Sequence, residues 1–90
     1  MGKNINKSEL IMFSVEGCPK CEAFSYIFSE KNISFRKITD PEELVKFGDD
    51  NGIGDIPIFS VNGYAVSYHD MIKILKITES EWEKILQKFS

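Results

Sequence analysis

From Glu9 to Val15 the chain is apolar with almost no polar interruption. A strand with one wet face alternates apolar and polar residues, whereas a near-continuous run is expected of a central strand covered on both faces. At Pro19 the period changes. Ala23, Phe24, Ile27 and Phe28 recur at helical spacing and form one apolar stripe. The pattern predicts a helix opening at Pro19 and closing at Asn32, then a second strand over Ile33–Ile38.

Asp40-Pro41-Glu42-Glu43 carries the marks of a helix start. Asp40 is the expected cap, Pro41 occupies the first turn, and Glu43 could close a capping box. Leu44, Val45 and Phe47 are expected to face inward. The helix should be short, because Gly48, Gly52 and Gly54 follow among aspartates and Asn51. Ile56–Val61 reads as a third strand. Asn62-Gly63 then predicts a type I′ turn, which needs positive φ at both positions, and Tyr64–Ser67 returns antiparallel. A helix is expected from about His69 to Ile77. Thr78-Glu79-Ser80-Glu81 forms a second capping box, before Trp82, Ile85, Leu86 and Phe89 at i, i+3, i+4 and i+7. The predicted order is β-α-β-α-β-β-α with one added helix. It defines an α/β domain over residues 1–90 whose mixed four-stranded sheet starts with a parallel pair and ends in a hairpin.

Composition narrows the function classes. Ninety residues hold one core. The net charge is −3, and ten of the eleven basic residues are lysine. Neither property suits a nucleic-acid binder, which relies on a basic surface and on the bidentate fork of arginine. No apolar run approaches the roughly 18 residues of a membrane span. Met1–Glu9 is polar and lacks the apolar stretch of a signal peptide. The expectation is a cytoplasmic monomer with no nucleic-acid or membrane partner.

Within that frame the two cysteines, Cys18 and Cys21, carry the chemistry. Three positions apart and alone in the chain, they suit a reducing compartment and a redox role better than a structural bridge. Cys18 falls at the start of the first helix, where unpaired backbone N–H groups and the helix dipole favour an anion. For a thiol that anion is the thiolate, the nucleophile of disulfide exchange. Cys21 lies one turn along on the same face, within reach of whatever Cys18 captures. Pro19 and Lys20 between them would tune the pair. A closed zinc site needs four ligands, and the chain offers two cysteines and His69, so no metal is assigned within one chain. Cluster binding between two chains remains the competing use of an exposed thiolate.

Pro57, at the head of a strand, is a candidate cis proline, although an edge-strand trans proline has the same sequence signature. His69 reads as a polar residue in a first helical turn, and Trp82 as a core anchor. Tyr68 either ends a strand or offers an aromatic contact beside the cysteines.

Taken together, Cys18-Pro19-Lys20-Cys21 at a strand–helix junction, Ile56-Pro57-Ile58-Phe59, a tight hairpin and a following helix resemble the glutaredoxin branch of the thioredoxin superfamily. The resemblance runs from about Leu10 to Leu75. It implies a three-layer thioredoxin-like fold and a disulfide reductase, with Cys18 as nucleophile and Cys21 as resolving thiol. It also implies a cis Ile56-Pro57 bond, with the Ile56 backbone pairing to a bound peptide or glutathione like an added strand. Ser67, Tyr68, His69 and Asp70 stand where the family binds glutathione, with N–H groups at a helix start. No bound cofactor is implied, and glutathione is a possible reductant. The chain departs from the family in three places: Val15 replaces a lysine, Lys20 an aromatic residue, and the stretch Val66-Ser67-Tyr68-His69-Asp70 lacks the usual pair of glycines. Similar departures occur in glutaredoxin-like proteins that draw electrons from thioredoxin reductase and pass them to ribonucleotide reductase. The expected partners are therefore a disulfide-bearing protein and one of these two electron sources.

Overall fold

A computed structural model describes residues 9–89; the polar segment Met1–Ser8 lies outside the described residues. The order is β1 (Leu10–Phe13), α1 (Pro19–Glu30), β2 (Arg36–Ile38), α2 (Pro41–Asn51), β3 (Ile58–Val61), β4 (Tyr64–Ser67), α3 (Tyr68–Ile74) and α4 (Glu79–Phe89). The sheet runs β2-β1-β3-β4. β1 pairs parallel with β2, and antiparallel with β3, which pairs antiparallel with β4. This is the predicted mixed sheet, with β1 at its centre.

The apolar run of β1 serves two cores. Side chains alternate across a strand, and Met12 packs with Phe59, its partner on β3, under α1, α3 and α4. Phe13 and its partner Ile58 turn to the opposite face, against Leu44 of α2. Phe24 and Phe28 of α1 are fully buried. The Phe24 ring lies 4.8 Å from both Phe59 and Trp82. Trp82 thus fastens α4 onto α1, and the added helix is a lid on the larger core. On the other face Phe13 stacks on Phe47 at 4.5 Å.

The element ends obey their local chemistry. Asn32 takes φ 57° and closes α1. Asn62 and Gly63 have φ 53° and 90°, as a type I′ turn requires. Thr78 and Glu81 form the complete capping box: the Glu81 amide donates to the Thr78 hydroxyl at 3.1 Å, and the Thr78 amide to Glu81 Oε1 at 3.0 Å. The cap of α2 is simpler, with Asp40 accepting from the Glu42 amide at 3.0 Å.

Several expectations are corrected. α2 runs through Gly48 to Asn51 and ends at Gly52, φ 67°. Gly48 is a packing glycine, not a breaker: a Cβ there would sit 2.7 Å from the Ile53 carbonyl oxygen and 3.1 Å from Ile58 Cδ1. Val45 is 58% exposed, because the buried stripe of α2 runs through Leu44 and Gly48, one turn apart. β1 and β3 are shorter than the apolar runs that announced them, and β2 covers only Arg36–Ile38. Ile33 and Phe35 still pack on the larger core as irregular chain. α3 stops at Ile74, since Lys76 adopts φ 58° to turn the chain into α4.

Candidate active site

The loop after β1 turns at Gly17, whose φ of 73° is in the left-handed region, and delivers Cys18 to the start of α1. Cys18 is the N-cap residue and Pro19 opens the helix. Proline suits that place because its missing N–H would have had no helical partner. The Cys18 sulfur accepts a hydrogen bond from the Cys21 amide at 3.1 Å, the cap bond usually made by a serine or aspartate oxygen. The Cys18 carbonyl accepts from the Glu22 amide at 3.1 Å. A half-buried sulfur is thereby fixed at the positive end of a twelve-residue helix.

Cys21 is 2% exposed, in the core beneath Cys18. Both cysteines are free thiols. Burial pushes the Cys21 thiol from 9.0 up to about 12, and a hydrogen bond with the Cys18 side chain adds to the rise. A bond with the Val15 backbone and the charge of Lys37 pull the other way. At neutral pH Cys21 is a protonated thiol in contact with the Cys18 sulfur. The two cysteines thus occupy different environments, Cys18 half-buried and Cys21 almost wholly shielded from solvent.

Lys20 and Tyr68, 48 positions apart in sequence, meet beside this pair. Lys20 Nζ donates to the Tyr68 hydroxyl at 3.3 Å and lies 4.5 Å from the ring centroid. Tyr68 stacks over Trp82 at 6.4 Å and touches the His69 ring at 4.0 Å. His69 Nε2 in turn lies 3.9 Å from the Asp55 carboxylate, just before Ile56-Pro57. That bond is cis, and Pro57 is fully buried. Ile56 is half-buried and, like Cys18 and Tyr68, packs against the larger core.

The structure joins Cys18 to Cys21 and, in a second set of contacts, Lys20 through Tyr68 and His69 to Asp55. Ser67 and Asp70 stand differently. The Ser67 hydroxyl caps α3 by accepting from the Asp70 amide at 3.2 Å, so that amide is already engaged. The sequence reading missed Asp55, Lys37 and the support of Tyr68 by Trp82. Only the Gly-Asp-Ile-Pro run hinted at the first, and nothing in the sequence hinted at the others. Among the described residues no cluster of three or more His, Cys, Asp or Glu could hold a metal ion. Nor is any helix long and apolar enough to cross a membrane.

A mixed β2-β1-β3-β4 sheet between α2 and the α1, α3 and α4 layer, with a Cys-Pro-Lys-Cys turn at the head of α1, defines a glutaredoxin-like fold. Solved structures agree. Glutaredoxin 1 from Francisella tularensis, crystallised with cacodylate, superimposes with a TM-score of 0.56 at 24% identity, covering 77% of this chain and 98% of that one. A glutaredoxin from Archaeoglobus fulgidus gives a TM-score of 0.56 at 16% identity, over 83% of this chain and 97% of its own. No protein-family model and no curated protein matches the sequence.

Proposed function

We propose that the chain is a thiol–disulfide oxidoreductase that reduces disulfides by dithiol exchange through Cys18 and Cys21. One observation carries this reading: a solvent-reachable sulfur at a helix start, held by the Cys21 amide, rests against a buried partner thiol. Cys18 attacks one sulfur of the substrate disulfide as a thiolate. The substrate S–S bond breaks, the departing sulfur takes up a proton, and a mixed disulfide forms. The Cys21 thiol then gives up its proton and attacks the Cys18 sulfur. The second substrate thiol leaves, and two electrons have passed from the Cys18–Cys21 pair to the substrate. The alkaline shift of Cys21 suits that order, since a protonated Cys21 leaves the first attack to Cys18.

An external thiol must then restore the pair, either glutathione or thioredoxin reductase in the cytoplasm. The Asp70 amide, already donating to the Ser67 hydroxyl, is one donor fewer for a glutathione carboxylate, which favours thioredoxin reductase. The test is a turnover assay on a peptide disulfide with each electron source in turn. Cys18→Ser should abolish turnover, and Cys21→Ser should accumulate a mixed disulfide visible by mass spectrometry. Full turnover by the Cys18→Ser protein would end the proposal.

A further inference from the structure

Resting on that reading, we infer that Lys20, held in place by Tyr68, selects protein disulfides that carry an acidic residue beside the reacting cysteine. Lys20 lies between the two cysteines in sequence and is half-buried. Its ammonium is anchored by the Tyr68 hydroxyl at 3.3 Å and lies 4.5 Å from the ring centroid. Yet it has no carboxylate partner: the ion pairs among the described residues are Arg36–Glu9 and His69–Asp55. The acids nearest in sequence, Glu16 and Glu22, are exposed and make no ion pair with it. A tyrosine ring and hydroxyl attract an ammonium without neutralising its charge. The cation is therefore positioned and still available. The charge of Lys37 on β2 reaches Cys21 as well, and Lys37 makes no ion pair among the described residues.

A lysine free in solvent would give up side-chain freedom on pairing with a substrate carboxylate, and that loss weakens exposed ion pairs. Contact with Tyr68 has already spent much of that freedom. Tyr68 is itself braced by Trp82 of α4 at 6.4 Å, so the added helix bears on specificity through one aromatic contact. Tyr68 is thus a positioning residue and Lys20 the specificity determinant.

The experiment compares kcat/KM for two otherwise identical peptide disulfides, one with Glu and one with Gln next to the cysteine, at low and high salt. Each protein's Glu-to-Gln ratio is its own control. The wild-type ratio is expected to be about threefold to fivefold at low salt, the range of one exposed charge pair, and to fall towards one in high salt. Lys20→Gln should bring it to about one, and Lys20→Glu should invert it. Tyr68→Ala should reduce it while Tyr68→Phe, which keeps the ring, should restore most of it. Oxidised glutathione and its ester, run alongside, separate a protein preference from capture of that acidic tripeptide. A wild-type ratio of one, a preference that survives Lys20→Gln, or a preference confined to glutathione overturns the inference while leaving disulfide reduction intact. A ratio unmoved by Tyr68→Ala removes Tyr68 from it. Failure of the wild type to reduce either peptide overturns the redox reading and this inference together.

Discussion

Cys21 illustrates how burial assigns roles to two chemically identical side chains. At 2% exposure its thiolate would lose solvation that a backbone contact and Lys37 replace only in part, so its proton is held up to about pH 12. That shift makes stability depend on pH in the reduced protein. Below pH 9 both folded and unfolded states keep the proton, and the contribution is fully present. Between about 9 and about 12 the unfolded chain has lost it and the folded one has not, so stability falls as pH rises. The slope is at most about 1.4 kcal/mol per pH unit. Denaturant unfolding of the reduced protein between pH 8 and 11 should therefore lose stability faster than that of Cys21→Ala, in which the group is gone. Parallel curves would contradict this account of Cys21. Cys18 shows the complementary lesson: its position as helix cap, three residues before Cys21, was already written in the Cys-Pro-Lys-Cys spacing.

At the scale of elements, α2 shows where pattern reading stops. A glycine in a run of glycines and aspartates reads as a break, and composition cannot distinguish it from a glycine kept small by a neighbour. The neighbour is the Ile53 carbonyl, 2.7 Å from where a Cβ would stand. Ile53 comes back across the helix only because Gly52 reverses the chain. Gly48→Ala should gain up to about 1 kcal/mol of helix propensity and lose about 1–3 kcal/mol to overpacking. The net expectation is a lower urea midpoint with an unchanged slope. A raised midpoint would mean that the helix and loop part at little cost. The capping box of α4 is the opposite case. Thr78 and Glu81 are three residues apart, the interaction is local, and its geometry followed from the sequence.

Across the whole molecule, α4 is joined to Tyr68, beside Lys20 of the cysteine turn, through aromatic rings. Phe24 of α1 touches Trp82, and Trp82 stacks beneath Tyr68. Trp82→Ala removes a ring that is 8% exposed, and buried aromatic-to-alanine changes cost about 3–5 kcal/mol. In a domain of this size that is a large share of total stability. The melting temperature should fall by on the order of 10 °C or more. A shift of only a degree or two would show that α4 is an appendage and not part of the core.

The sequence by itself determined the strand and helix order, the central place of β1, the type I′ turn, the α4 capping box and the cysteine pair at a helix start. Each depends on neighbours a few residues apart or on the burial period of a single element. Tertiary structure alone decided the docking of Lys20 on Tyr68, the link from His69 to Asp55 and the packing of Gly48. These contacts join segments remote in sequence or depend on how closely the chain folds back, and no local pattern encodes such an approach.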